Sequence, residues 1–340
     1  MSIRMRGHLA LLFSTLGGLT LLSPTDGALA QAATTDALQL EAKIALGKVN
    51  GRIDHMAVDL QRGRLFVAEL GSDSVGVVDV SGHTLVRRIS GLKEPQGVAY
   101  EKSTDTLYVA NARDGSVQIF RGERYVPEGT ILLGNDADNI RVDATASRVF
   151  VGYGDGALAA INPADNRKTA EIPLDSHPES FQLAPGGNRI YVNLPDSRTI
   201  AVIDPAAGKQ IATWPTQGMN GNFAMALDNE GQKVLVVFRS PAKLVAFSMV
   251  DSGMVASVDT CGDVDDVFVD AKRQRIYVSC GDGYVDVIDK ANPPYRRISR
   301  FATAAGARTS LFVPELDRLF VAVRASAARP AEIWVLKPTP

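Results

Sequence analysis

Four acidic residues, Asp54, Asp138, Glu179 and Asp265, lie 84, 41 and 86 residues apart, each interval close to a multiple of one shorter period. Gln96 and Arg308 fall on the same grid. His55, Asn139 and Asp266 directly follow three of the acids, and His177 stands two residues before Glu179. Brought together, carboxylates and neutral imidazoles could hold a divalent metal ion or exchange protons as general acid and base. His55, His177 and Glu179 are then the catalytic candidates. Crowded carboxylates also disfavour one another's ionisation unless a cation compensates, and arginine nearby could take a ligand carboxylate. Each possibility requires a fold that gathers residues dozens of positions apart.

The sequence supplies such a fold. RLFVAEL, TLYVANA, RVFVGYG, RIYVNLP, KVLVVFR, RIYVSCG and RLFVAVR are seven copies of one pattern, anchored on Val67, Val109, Val151, Val192, Val236, Val278 and Val321. The anchors are 42, 42, 41, 44, 42 and 43 residues apart. A β-rich unit repeating at this length predicts an all-β, seven-bladed propeller with one four-stranded blade per repeat. In the second repeat PQGVAYE reads as the inner strand, TLYVANA and SVQIFRG as the next two, and YVPEGTILL as the outer one, with polar turns between them. A single blade cannot bury both faces, whereas a ring of seven buries each against its neighbours. AEIWVLK, from Ala331, ends the last repeat one strand short, and LEAKIAL, from Leu40, is a strand with no blade of its own. The N-terminal strand is therefore expected to complete blade seven and leave no open edge in the ring.

LYVANARDGSVQIF and IYVNLPDSRTIAVIDP resemble the repeats of YVTN-type β-propellers, a family of exported bacterial proteins. The resemblance covers essentially the whole chain after its first thirty residues. It is specific for fold and weak for function, because the Tyr-Val-x-Asn core builds strands and turns. It implies relatives that include binding proteins, lactonases, a streptogramin lyase and subunits of redox enzymes, so the fold does not choose among them.

The period assigns the two rims of the ring. One carries plain turns such as DLQRG, APGG and NPADN, whose residues satisfy turn geometry; His83, in SGHTL, belongs there. The other carries the residues thirteen before each anchor, namely Asp54, Gln96, Asp138, Glu179, Phe223, Asp265 and Arg308. Twelve before stand His55, Gly97, Asn139, Ser180, Ala224, Asp266 and Thr309. Blade five has one extra residue, which leaves its register open. Strand exits add Glu69, Asn111, Asn193, Arg239 and Arg324 to this rim. The polar mouth could be a ligand or metal site, or a water-filled opening with local turn-capping bonds. His55 and His177 lie in facing blades, close enough for one shared ion or placed for separate hydrogen-bonding roles. Trp214 and Trp334 read as packing residues.

Residues 1–30 have the form of an export signal: Arg4 and Arg6, an apolar run from Leu9 to Leu22, and Ala28-Leu29-Ala30 as a cleavage site. A linker over 31–39 and a single propeller over 40–340 would follow, with no membrane span in the mature chain. The formal net charge of −2 gives no basic face for nucleic acid. Cys261 and Cys280 lie 19 positions apart in blade six, and in an oxidising compartment a disulfide is the expectation, with a soft metal site beside a histidine as the alternative. No Cys-x-x-Cys-His occurs for a c-type haem, and no phosphate-binding glycine loop follows a strand.

Three functional readings remain. The first is a periplasmic or secreted monomer that binds a small molecule or a periplasmic protein through the acid-rich rim. The second is a metal-assisted hydrolase or lyase, lactonase-like, with His55 or His177 as base. The third is an accessory to an exported redox enzyme.

Overall fold

A computed structural model describes residues 36–291 and 293–340. The leader expected over 1–30, and most of the linker, lie outside the described residues. The first strand, β1 (Leu38–Gly47), begins two residues before the expected start of the propeller. Blade one follows as β2 (Met56–Asp59), β3 (Arg64–Glu69), β4 (Ser74–Asp79) and β5 (Thr84–Ser90). Blade two is β6 (Pro95–Glu101), β7 (Thr106–Asn111), β8 (Ser116–Arg121) and β9 (Val126–Leu132), each within a residue or so of the strand read from sequence. Blade three is β10 (Ala137–Asp143), β11 (Arg148–Tyr153), β12 (Ala157–Asn162) and β13 (Arg167–Pro173). Blade four is β14 (Phe181–Leu183), β15 (Ile190–Leu194), β16 (Thr199–Asp204) and β17 (Lys209–Pro215). Blade five is β18 (Asn220–Asp228), β19 (Lys233–Ser240), β20 (Ala242–Ser248) and β21 (Met254–Asp259). Blade six is β22 (Val264–Asp270), β23 (Arg275–Cys280), β24 (Tyr284–Asp289) and β25 (Arg296–Ala302). Blade seven is β26 (Ser310–Val313), β27 (Arg318–Val323) and β28 (Ala331–Pro338), with β1 as its outer strand.

Ring closure follows the expectation. β1 pairs antiparallel with β28 in a register that sets Lys43 opposite Trp334 and Ile44 opposite Ile333. Ile44 and Leu46 are wholly buried, in a cluster with Phe320 and Ile333 of blade seven and Leu65, Val67 and Val78 of blade one. The latch thus seals an edge and also supplies core between the last and first blades. Similar clusters fill the other inter-blade faces, for example Tyr108 and Ala110 of blade two against Val149 and Val151 of blade three. Trp214 and Trp334 are buried to within 8% and serve packing; Lys43 lies over the Trp334 ring.

The inner hairpins keep one register all the way round. Met56, Val98, Ile140, Phe181, Met225, Val267 and Ser310 each pair with the anchor valine eleven residues later. Blade five conforms, so its extra residue lies outside this hairpin. Cys261 and Cys280 form the expected disulfide within blade six, with Cα atoms 5.8 Å apart. No helix among the described residues is long and apolar enough to cross a membrane.

Candidate functional site

A β-bulge sits where the chain enters the inner strand, and it aims the candidate residues. In β6 the pairing jumps from Pro95 to Val98, leaving Gln96 and Gly97 opposite a single residue. In β10 it jumps from Ala137 to Ile140 across Asp138 and Asn139. In β18 and β22 the extra residues are Phe223 and Asp265. Blades one and four repeat the device before their strands begin. Asp54 N donates to Ala68 O, and Ala68 N donates to His55 O. Glu179 N donates to Asn193 O, and Asn193 N donates to Ser180 O. A bulge frees a residue from the ladder and turns its side chain out of the pleat. Here that direction is the mouth of the central shaft.

One cavity of about 260 Å³ collects the result. All seven residues thirteen before the anchors line it: Asp54, Gln96, Asp138, Glu179, Phe223, Asp265 and Arg308. His55, His177, Arg239, Arg52 and Asp136 complete the wall. Below it runs the shaft, about 400 Å³, lined on its polar side by Asp266, Arg141 and Gln182. His55 belongs to both linings and stands at the neck between them. Gly97 is the blade-two counterpart of His55, and blades two and three approach so closely there that a Cβ would stand 2.0 Å from the backbone oxygen of Asp138.

The cavity is electrostatically lopsided. On the side of blades five to seven and one, Arg239 reaches Asp265 at 2.8 Å, and Arg308 reaches Asp265 at 3.2 Å and Asp263 at 2.7 Å. Arg52 holds Asp54 at 2.6 Å. The Arg239 guanidinium lies 3.5 Å from the centre of the Phe223 ring, a cation–π contact. On the side of blades three and four no such pairing among the described residues reaches Asp138 or Glu179. Asp138 is 7% exposed, and its Oδ1 has no hydrogen-bond partner among the described residues. Burial, reinforced by Glu179, Asp54 and Asp136 and opposed by His55, holds the Asp138 carboxyl well above the usual range. Burial likewise raises Glu179, to about 7, with Asp265 adding to it.

His55 is packed among carboxylates. Its Nε2 is 3.2 Å from Asn139 Nδ2 and 3.7 Å from Asp54 Oδ1, and its Nδ1 is 3.8 Å from Asp266 Oδ1. Burial alone would lower its pKa, but Asp266, Asp54, Asp138 and Asp265 together raise it. Asp266 is raised to about 6, chiefly by burial, and its Oδ2 accepts from Ser310 N at 2.8 Å. Turning the Asn139 amide over would let its otherwise unpartnered Oδ1 accept from a protonated His55. His177 sits apart, its Nδ1 bonded to Gly154 O at 2.6 Å and 3.7 Å from Asp136.

Three expected rim residues are elsewhere. Glu69 is fully buried and bonded to Ser74 Oγ and to Arg88. Asn111 spans β7 and β8 by its bond to Ser116, and Asn193 donates to Ser180 Oγ and to the backbone of blade five. Arg324 stands beside the cavity, with Arg308 and Arg52 near enough to add to burial in lowering its pKa. Arg52 and Asp136 escaped sequence reasoning, although each stands two residues before a register acid. Among the described residues no three His, Cys, Asp or Glu side chains converge closely enough to hold a metal ion. His55 and His177 contact different partners rather than a common point.

No protein-family model matches this chain, and no curated protein matches it. Solved structures do. A chain in the crystal structure of the mitotic checkpoint complex superposes with a TM-score of 0.74 at 13% identity, covering 96% of this chain and all of that one. At that identity the likeness establishes the propeller fold and nothing about activity. Function has to be argued from the site.

Proposed function

We propose that this chain is an exported, YVTN-type propeller that binds a small polar ligand in the rim cavity. On this reading residues 1–30 are a removed leader, 31–39 a short linker, and the remainder a monomeric binding module of the periplasm or cell exterior. The observation that carries it is the convergence of seven equivalent residues, one per blade, on a single cavity. In its wall Asp138, 7% exposed, and Glu179 have no ion-pair partner among the described residues.

The hydrolase or lyase reading finds less support. Ser180 accepts from Asn193, Ser310 shares its hydroxyl bond with Ser279, and both cysteines are in the disulfide. Among the described residues no hydroxyl is bonded to His55 or His177 to serve as an activated nucleophile, and the acids do not gather as metal ligands. A thermal-shift screen of polar metabolites tests the proposal. A stabilising compound should lose its effect in Glu179→Gln and Arg308→Gln and keep it in Asp165→Ala on the opposite rim. Steady turnover of a lactone or ester, abolished by His55→Ala, would replace binding with catalysis.

A further inference from the structure

The two sides of the rim cavity carry opposite, unbalanced charge. Arg52, Arg239 and Arg308 pair with Asp54, Asp263 and Asp265, and Arg324, beside Arg308 and Arg52, is not within ion-pair distance of any carboxylate among the described residues. Across the opening Asp136, Asp138 and Glu179 have no lysine or arginine within ion-pair distance among the described residues; His177 stands beside Asp136, and His55 and Arg239 act on Asp138 and Glu179 from farther away. Asp138 is the sharpest sign of a missing partner, being nearly sealed from solvent, set in the wall and lacking a donor to Oδ1. A buried carboxyl group without a cationic partner is costly, and a ligand ammonium group at this wall would reduce that cost. The apolar member of the wall, Phe223, is already covered by Arg239, so no greasy substituent is provided for. At about 260 Å³ the cavity is smaller than the sites that take drug-sized molecules.

We propose that the ligand is a small zwitterion of the amino-acid kind, its ammonium group against Asp138, Glu179 and Asp136 and its carboxylate against Arg308 and Arg324. The proposal rests on the rim-cavity reading and adds the ligand's chemistry to it. An organic cation alone would leave the surplus guanidinium unmatched, and an anion alone would leave Asp138 without its donor. A molecule carrying both charges answers both sides, with charge-assisted hydrogen bonds at each end.

Isothermal titration of the purified protein with glycine, 4-aminobutyrate and 6-aminohexanoate, against butylamine and butyrate, decides the matter. At least one amino acid should bind about tenfold or more tightly than either single-ended compound. Asp138→Asn combined with Glu179→Gln should reduce its affinity to that of butyrate, and Arg308→Gln combined with Arg324→Gln to that of butylamine, while Asp165→Ala changes nothing. Asp138→Asn and Glu179→Gln keep side-chain size while the two arginine substitutions shorten the side chain, and circular dichroism reports whether each double variant folds. Equal binding of the amino acid and butylamine overturns the proposal, as does failure of all three amino acids to bind at about 10 mM. In either case a different compound whose binding still responds to the rim substitutions would leave the rim-cavity reading standing, and a compound indifferent to them would remove that as well.

Discussion

Asp138 and Asp143 occupy the two ends of the same strand, β10, and are almost equally buried, at 7% and 5% exposure. Their carboxyl groups are nonetheless pushed in opposite directions. Burial raises both, but at Asp143 hydrogen bonds from Thr145 and the Ala146 amide, together with Arg148, win and hold the group below its ordinary value. At Asp138 the chief opposition to burial is His55, and Asp138 Oδ1 has no donor among the described residues. Glu101 repeats the Asp143 pattern at the far end of β6, with Ser103 and Thr104 as donors. What separates the rims is therefore neither residue type nor burial. One rim supplies its acids with internal partners, whereas the other pairs Asp54 and Asp265 with arginine and leaves Asp138 and Glu179 without an ion pair among the described residues, which marks that side as a place for something else.

Four experiments would break or sharpen this contrast. The largest effect should come from deleting residues 38–47, which removes the outer strand of blade seven and the Ile44–Leu46 core. Because both ends of β10 presuppose a closed ring, loss of cooperative thermal unfolding is expected, on the scale of the whole 5–15 kcal/mol typical of a domain. An unchanged melting curve would mean that the ring does not depend on its latch. Next, Asp143→Ala should cost about 2–3 kcal/mol in denaturant unfolding, since it strands a turn amide and Arg148. Asp138→Asn, made on the same strand, should not do so.

The third experiment is a pH series. The fold raises Glu179 from 4.5 to about 7, so it favours the uncharged acid. The stability this contributes is complete below 4.5 and is lost as pH rises through about 7. Wild type should therefore lose about 3 kcal/mol of stability relative to Glu179→Gln across that window. Asp143 must behave oppositely, because its pKa is lowered from 3.8; its contribution is present above that value and disappears on further acidification. A pH-independent difference for Glu179→Gln would show that its carboxyl is solvated. The smallest effect is expected for Asp138→Asn at pH 7, within about 1 kcal/mol of wild type and on the stabilising side, as for replacing an uncompensated buried acid by its neutral isostere. A large destabilisation there would mean that Asp138 has an internal partner after all.

The period of the anchors exposed the ring, the latch, the bridging cysteines and the seven wall residues, including Phe223 in the blade whose length differs. That succeeded because register is a counting property, and a bulge repeated at one offset moves every blade's residue to the same place. Glu69, Asn111 and Asn193 depart from the rim expected for strand-exit residues. Each is still within its ladder, opposite Ser74, Ser116 and Ile200 respectively, and its side chain is consequently held between blades. Arg239 and Arg324 lie three residues past their anchors and so reach the rim. Arg52 and Asp136 belong to connections whose conformation the period does not set. The partnerless state of Asp138 had no sequence signal, since it depends on what the neighbouring blades fail to offer.

The bulge that turns the wall residues toward the opening in blades one to six also sets them outside the register pairs, and this separates two demands on the chain. Positions 54, 96, 138, 179, 223, 265 and 308 contribute little to strand pairing, so their identities are constrained by the guest more than by the scaffold. A library randomised at these seven sites should yield many folded members with altered ligand preference, whereas the same diversity at positions 59, 101, 143, 228 and 270, beneath the opposite turns, should yield few. The ring is in this sense a frame with seven exchangeable contacts, one per blade, and its present set reads as one solution among many that the same backbone could carry.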